Sequence, residues 1–274
     1  MIFKVTYLSN GLKVKGYLGV PNNFKVSKEE IAGLFGNLPV CEVAKSIVSN
    51  QIKIRQSHLP ALIYCRGGIG HFGRVKPSWV EAFANHGYIV FAPCYRGHEG
   101  GEGQDRFGGA DCEDVHAAFR LIESFPFVDK EKISIMGFSR GSINATRTAI
   151  EMPSTNKLIL WGGVSSLSQT YEERVDLRRM LKRVIGGTPT KIPLAYQERS
   201  PIDLASRIRC PVLIMHGQAD TQVSVRHGLS MYERLRILSK KTSLHLYEGY
   251  GHHLPYVIHN EAINRMFSWI DATN

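Results

Sequence analysis

The polar and apolar positions change period along the chain, and that change predicts the architecture. Residues 2–8 and 12–20 alternate apolar with polar side chains around Ser9-Asn10-Gly11, which reads as a β-hairpin closed by an Asn-Gly turn. Residues 24–55 read as a helical insertion on the sheet edge. Ser27 with Glu30 forms a capping box, and residues 40–48 carry apolar side chains at helical spacing. From there short apolar runs at 61–65, 88–92, 132–136, 158–162, 212–216 and 243–247 alternate with amphipathic stretches. The helix at 77–86 stops at Gly87, and that at 111–123 sets Val115, Ala118, Phe119 and Ile122 on one stripe. Further helices are expected at 172–183, 224–238 and 256–270. This is an α/β pattern: a mostly parallel sheet of eight strands, counting the hairpin, covered by helices on both faces. One domain over residues 1–274 is expected, with residues 165–199 forming a small helical cap above the carboxyl ends of the strands.

Composition narrows the partners. The 274 residues are 43% hydrophobic and 21% charged, an ordinary globular balance. Lys and Arg total 34 against 24 Asp and Glu, a formal charge of +10, but the cations are scattered and do not interleave with stacking aromatics. The densest cluster, residues 172–183, alternates sign and reads as a solvated helix face, so no nucleic-acid partner is expected. Cys41, Cys65, Cys94, Cys112 and Cys210 are widely spaced, with no C-x-x-C pair and no zinc-type His spacing. Reduced thiols and no metal follow. The amino terminus lacks a signal-peptide pattern, and no apolar run reaches the roughly 18 residues that span a bilayer. A cytoplasmic protein with no membrane partner, monomeric or homodimeric, is expected.

The chemistry gathers where strands end. Gly137-Phe138-Ser139-Arg140-Gly141 stands between an apolar strand and a helix rich in small residues, the setting in which a tight turn lifts a serine hydroxyl out as a nucleophile. The helix start would also offer the Arg140 backbone N–H to an oxyanion. A serine hydroxyl needs a histidine to take its proton and a carboxylate to orient that histidine. Asp220 follows the run at 212–216, and His252 follows the last strand, with His253 as the rival base. The order Ser, Asp, His is that of an α/β-hydrolase.

At these residues the chain resembles the catalytic domain of the prolyl oligopeptidase family of serine peptidases, from about Pro60 to the carboxyl terminus. The likeness rests on Phe91-Ala92-Pro93-Cys94-Tyr95-Arg96-Gly97, on Asp111 and Asp114, on Phe127-Val128-Asp129, and on Arg199-Ser200-Pro201. It continues through His216-Gly217-Gln218-Ala219-Asp220-Thr221 and Tyr247-Glu248-Gly249-Tyr250-Gly251-His252. The resemblance implies that Ser139, Asp220 and His252 form the triad, with His252 preferred over His253. Two departures stand out. Nothing before Pro60 is long enough for the family's β-propeller, and Arg66 in Tyr64-Cys65-Arg66-Gly67-Gly68 stands where the family usually carries Tyr or His in the other half of the oxyanion hole. Arg66 could donate from its side chain, Gly67 and Gly68 could donate amides, or Arg66 could anchor the loop to a carboxylate. The Arg140 side chain could bind an acidic group on the substrate, with Arg66 beside it, or pair with a nearby Asp or Glu; Tyr95 is a further candidate substrate contact. The expected function is hydrolysis of an ester or short peptide-like amide through an acyl-enzyme, without metal or organic cofactor. The missing propeller tilts the reading toward an esterase, with a peptidase proper or a non-catalytic binding protein as alternatives.

Overall fold

The computed structural model describes residues 1–36, 38–44 and 58–272. Nine strands among the described residues form one sheet: β1 Ile2–Ser9, β2 Leu12–Gly19, β3 Val40–Ala44, β4 Leu59–Cys65, β5 Ile89–Pro93, β6 Val128–Phe138, β7 Leu158–Trp161, β8 Val212–Gly217 and β9 Thr242–Tyr247. They lie in the order β3-β1-β2-β5-β4-β6-β7-β8-β9. The β1–β2 hairpin turns at Asn10-Gly11, both at positive φ, and β1, β2, β3 and β5 pair antiparallel. From β5 across to β9 every neighbour is parallel.

Side-chain alternation divides the core between the two faces. On β8, Val212 and Ile214 join one cluster while Leu213 and Met215 join the other, as the period of a strand requires. Helices α3 (Cys112–Glu123), α4 (Gly141–Glu151) and α9 (Val225–Ile237) cover the first face; Val115, Ala118, Phe119 and Ile122 of α3 are all inside. Helices α2 (Pro77–Ala84) and α10 (Tyr256–Ala272) cover the second, through Trp79, Val80, Phe83, Ile263, Met266 and Phe267.

Two expectations are corrected. The capping box of Ser27 and Glu30 is present and starts α1 (Lys28–Leu34), but residues 40–44 are not helical. They form β3, whose burial alternates with period two, and raise the strand count from eight to nine. The unpaired edge of β1 offers a row of N–H and C=O groups, and pairing with it outweighs apolar residues that happen to fall at helical spacing. Residues 45–57, the rest of the expected insertion, lie outside the described residues. The second correction is the helix at 172–183. It is two helices, α5 (Leu167–Glu173) and α6 (Arg178–Ile185), separated at Arg174, whose φ of −108° and ψ of 78° leave the helical region. Together with α7 (Pro193–Gln197) they form a third cluster in which Leu167, Tyr171, Leu181 and Tyr196 pack on Phe107, Ile143, Val164 and Val223.

One close approach sets the centre of the fold. A Cβ on Gly141 would overlap the Cys65 carbonyl oxygen and lie 2.7 Å from that of Arg66. Only glycine lets the first turn of α4 sit on the carboxyl end of β4. Gly141→Ala should therefore destabilise by about 1–3 kcal/mol, the range for forced overpacking, seen as a lower urea midpoint at unchanged slope.

Candidate active site

Ser139 occupies the single residue between Phe138, the end of β6, and Arg140, the N-cap of α4. Its φ is +56°, a left-handed conformation that costs a non-glycine residue of order 1–2 kcal/mol. The turn is held by its neighbours. Ser139 N–H donates to the Trp161 carbonyl at 2.9 Å, and the Ser139 carbonyl accepts from Ser142 N–H at 3.1 Å and Val164 N–H at 3.2 Å.

Asp220 lies just beyond β8 with its carboxylate buried. Oδ1 accepts from the N–H groups of Gln222 and Val223 at 2.8 and 2.9 Å, and Oδ2 lies 2.7 Å from His252 Nδ1. His216, buried on β8, holds the same loop: its Nε2 is 2.8 Å from the Val223 carbonyl and 3.4 Å from Asp220 Oδ2. Burial alone would raise the Asp220 pKa, but the contacts from His216, His252 and Val223 outweigh it and hold the carboxyl well below the usual carboxylate range. Gly162, at φ +52°, leaves room for the ring, since a Cβ there would stand 3.3 Å from His252 Nδ1. His253 is exposed and shares no contact with Asp220 among the described residues; its ring packs on Phe138 at 5.3 Å. Ser139 and His252 open on one cavity of about 470 Å³, lined also by Gly67, Gly68, Val164, Leu177 and Met180. Among the described residues no hydrogen bond within 3.5 Å joins the Ser139 hydroxyl to the ring, an arrangement common in hydrolases before substrate tightens the contact.

Below the serine lies a buried ionic layer. Arg66 is 1% exposed and Arg140 2%. Arg66 Nε and Nη2 donate to the Cys94 carbonyl at 3.2 and 2.7 Å, and Nη1 donates to the carbonyls of Gly67 and Gly68, each at 3.1 Å. Arg140 Nη1 donates to the Gly68 carbonyl at 2.9 Å and to Asp105 at 2.7 Å, while Nη2 reaches Asp105 at 2.7 Å and Asp111 at 2.6 Å. Both guanidinium groups stack on the Tyr95 ring, 4.4 and 4.9 Å from its centre. Burial works against the Asp105 charge, but Arg140 and then His98 overcome it and hold that carboxyl far below its ordinary value. Burial likewise lowers the Arg140 pKa on its own, and Asp105 and Asp111 more than reverse it.

A sequence model of the prolyl oligopeptidase family matches residues 75–273. The chain belongs to the prolyl oligopeptidase family. It is a serine hydrolase of the peptidase type, on the α/β-hydrolase fold. The uncharacterized peptidase YtmA of Bacillus subtilis is 39% identical over 270 residues, which cover 98% of this chain and 93% of that protein. Among solved structures, the Pyrococcus horikoshii acylaminoacyl peptidase aligns with a TM-score of 0.74 at 16% identity, covering 99% of this chain and 42% of that one. A puromycin-hydrolyzing peptidase of Mycobacterium tuberculosis aligns with a TM-score of 0.76 at 19% identity, over 98% of this chain and 40% of that one. This chain thus spans nearly all of the Bacillus relative and about two-fifths of each solved prolyl oligopeptidase-family chain.

The buried layer decides between the side-chain alternatives left open for Arg140 and Arg66 and corrects the expectation for Tyr95. Arg140 does not offer its guanidinium to a substrate carboxylate, because Asp105 and Asp111 already bind it in the interior. Arg66 does not reach into the cavity as a donor; its guanidinium is turned onto backbone carbonyls beneath the loop. Tyr95 is no substrate contact, being fully buried with its hydroxyl donating to the Arg66 carbonyl at 3.1 Å. Asp105, Gly162 and His216 are the site residues that sequence reasoning missed. For Asp105 a signal existed, an acidic residue inside the glycine-rich stretch 97–109, but nothing tied it to Arg140.

Two outcomes follow from the ionic layer. Arg140→Met would leave buried Asp111 without its cation and Asp105 with only His98 at 3.0 Å and Arg66 at 3.7 Å, and should cost about 3–5 kcal/mol in urea denaturation. Because the folded pKa of Asp105 lies below its unfolded value, its stabilisation is fully present above the ordinary carboxylate range and is lost as pH falls through and below it. A pH series on Asp105→Asn should show lower stability at neutrality and a flatter decline in acid than the parent.

Proposed function

We propose that this protein cleaves short peptides, and carboxylic esters as simpler substrates, through an acyl-enzyme on Ser139. His252 Nε2 takes the proton of the hydroxyl as it attacks the carbonyl carbon. Asp220, ionised at neutral pH, fixes the ring with its proton on Nδ1 and stabilises the imidazolium that forms. His252 then returns the proton to the leaving nitrogen or oxygen, and water repeats the sequence on the acyl-enzyme.

The oxyanion is received by backbone donors. Arg140 N–H opens α4 and has no acceptor among the described residues. The second donor is Gly68 N–H. Its peptide plane supports this: the Gly67 carbonyl is drawn down onto Arg66, and in a trans peptide the following N–H points the opposite way, up toward Ser139 and the cavity. The side chains of Arg66 and Arg140 then position the loop, and toward the reacting atoms Arg140 offers only its backbone N–H. Cap residues Thr170, Leu177 and Met180 line the cavity and bear on the acyl group. The unpaired state of all five cysteines supports a reducing, cytoplasmic setting.

The observation that carries this reading is the 2.7 Å contact between Asp220 and His252 on the cavity into which the strained Ser139 turn projects. A fluorophosphonate probe should label the wild type at Ser139 and not Ser139→Ala. Turnover of p-nitrophenyl acetate should fall at least about ten-thousand-fold in Ser139→Ala, and by a similar factor in Asp220→Asn, where the wrong imidazole tautomer is held. Wild type that neither labels nor turns over ester would leave a scaffold without chemistry.

A further inference from the structure

The reacting histidine has a second cavity on its other side. A half-open cleft of about 270 Å³ is lined by Lys76, Trp79, Phe138, Trp161, His252 and His259, together with His253, Leu254 and Tyr256. It shares His252, His253, Phe138, Trp79 and Lys76 with the main cavity but none of Ser139, Arg140, Gly67 or Gly68. That division has a stereochemical meaning. In the tetrahedral adduct the oxygen lies with the oxyanion donors, while the atom that departs must lie against the histidine that protonates it. The larger lobe, which holds the serine and the oxyanion loop, then takes the acyl part. The smaller lobe, which holds only His252 of the reacting groups, takes what leaves.

The walls of the smaller lobe specify its occupant. Trp79 packs on Phe138 at 4.9 Å, on Trp161 at 5.6 Å and on His259 at 4.5 Å, so the lining is a continuous set of rings. His259 is held neutral at physiological pH, its pKa lowered to about 4 by burial first and then by Lys76 and His253. Its Nε2 is buried and lacks a partner among the described residues. No carboxylate lines the lobe. The cation at its edge is Lys76, exposed, poised 5.5 Å over the Trp79 ring and in no ion pair among the described residues. A volume just below that of whole-ligand sites suits one residue-sized group.

Resting on the acyl-enzyme reading above, we propose that this lobe binds the leaving group as a single aromatic amino acid whose free carboxylate is taken by Lys76. The enzyme is then selective for short peptides that end one residue beyond the cleaved bond. Lys76 is the specificity-determining residue, and the ring cluster sets the preference for an aromatic side chain.

The test compares kcat/KM for alanyl-phenylalanine, alanyl-phenylalaninamide and alanyl-alanine in wild type, Lys76→Met and Lys76→Arg, with p-nitrophenyl acetate as the common reference. Wild type should favour the free carboxylate over the amide by at least about threefold, the range of a partly exposed ion pair. It should favour phenylalanine over alanine by about tenfold or more. The carboxylate-to-amide ratio should collapse to one in Lys76→Met and return in Lys76→Arg, while the aromatic preference persists in both. Equal rates on carboxylate and amide in wild type, a ratio that survives Lys76→Met, or ester turnover without cleavage of any dipeptide would each overturn the proposal. Absence of ester turnover and of Ser139 labelling would instead remove the acyl-enzyme reading on which it rests.

Discussion

The approach of the α4 amino terminus to the end of β4 is the constraint on which the site depends. With no side chain at Gly141, the helix start reaches the Cys65 and Arg66 carbonyls. That brings the Ser139 turn and the Arg66-Gly67-Gly68 loop side by side, at the ends of the adjacent strands β6 and β4. The left-handed Ser139 is tolerated because Trp161 on β7, Ser142 on α4 and Val164 all hydrogen-bond to its backbone. The turn opens on the cavity at half-buried Ser139 and is over-determined beneath it.

Beneath the loop, two guanidinium groups share one aromatic ring in the protein interior. Like charges so placed repel and lose hydration, and the Arg66 pKa is lowered by burial and then by Arg140. The arrangement persists because the donors of both groups are used except Arg140 Nε, which lacks a partner among the described residues. Asp105 and Asp111 take the charge of Arg140, carbonyls take the N–H groups of Arg66, and the Asp111 carboxylate also accepts from Gly108 N–H, Gly109 N–H and Asn144. The cost of burying this layer is the same feature that makes it stiff. Any tilt of the Gly67–Gly68 peptides would break charge-assisted bonds in a low-dielectric setting, where they are hardest to replace.

What could be read in the sequence follows from the range of the interactions involved. The parallel strands were legible because all but the half-buried edge strand β9 are buried on both faces near their carboxyl ends and appear as short apolar runs. The positions of Ser139, Asp220 and His252 near strand ends were legible because each lies within a few residues after such a run, while the preference for His252 over His253 came from the family resemblance. The partners of Arg140 were not: Asp105 lies 35 residues away, and only the folded path of the glycine-rich loop brings it there. Residues 40–44 misled because their spacing serves either period, and the sheet edge that decides between them is a tertiary fact. The break between α5 and α6 was hidden for a similar reason.

That break ties residues 165–199 to the Asp220 loop. Leaving the helix at Arg174 lets its guanidinium bind Asp176 and donate to the Gln222 carbonyl at 2.9 Å, while Gln222 N–H donates to Asp220. One residue on, Val223 gives its N–H to Asp220, its carbonyl to His216, and its side chain to the cap cluster with Leu167 and Tyr171. The segment that lines the larger cavity and the loop that holds His252 are therefore joined through two consecutive residues. A group that displaced α5 in that cavity would pull on the Asp220 loop directly. The space beside α5 and the contact between Asp220 and His252 are in this way coupled through Gln222 and Val223.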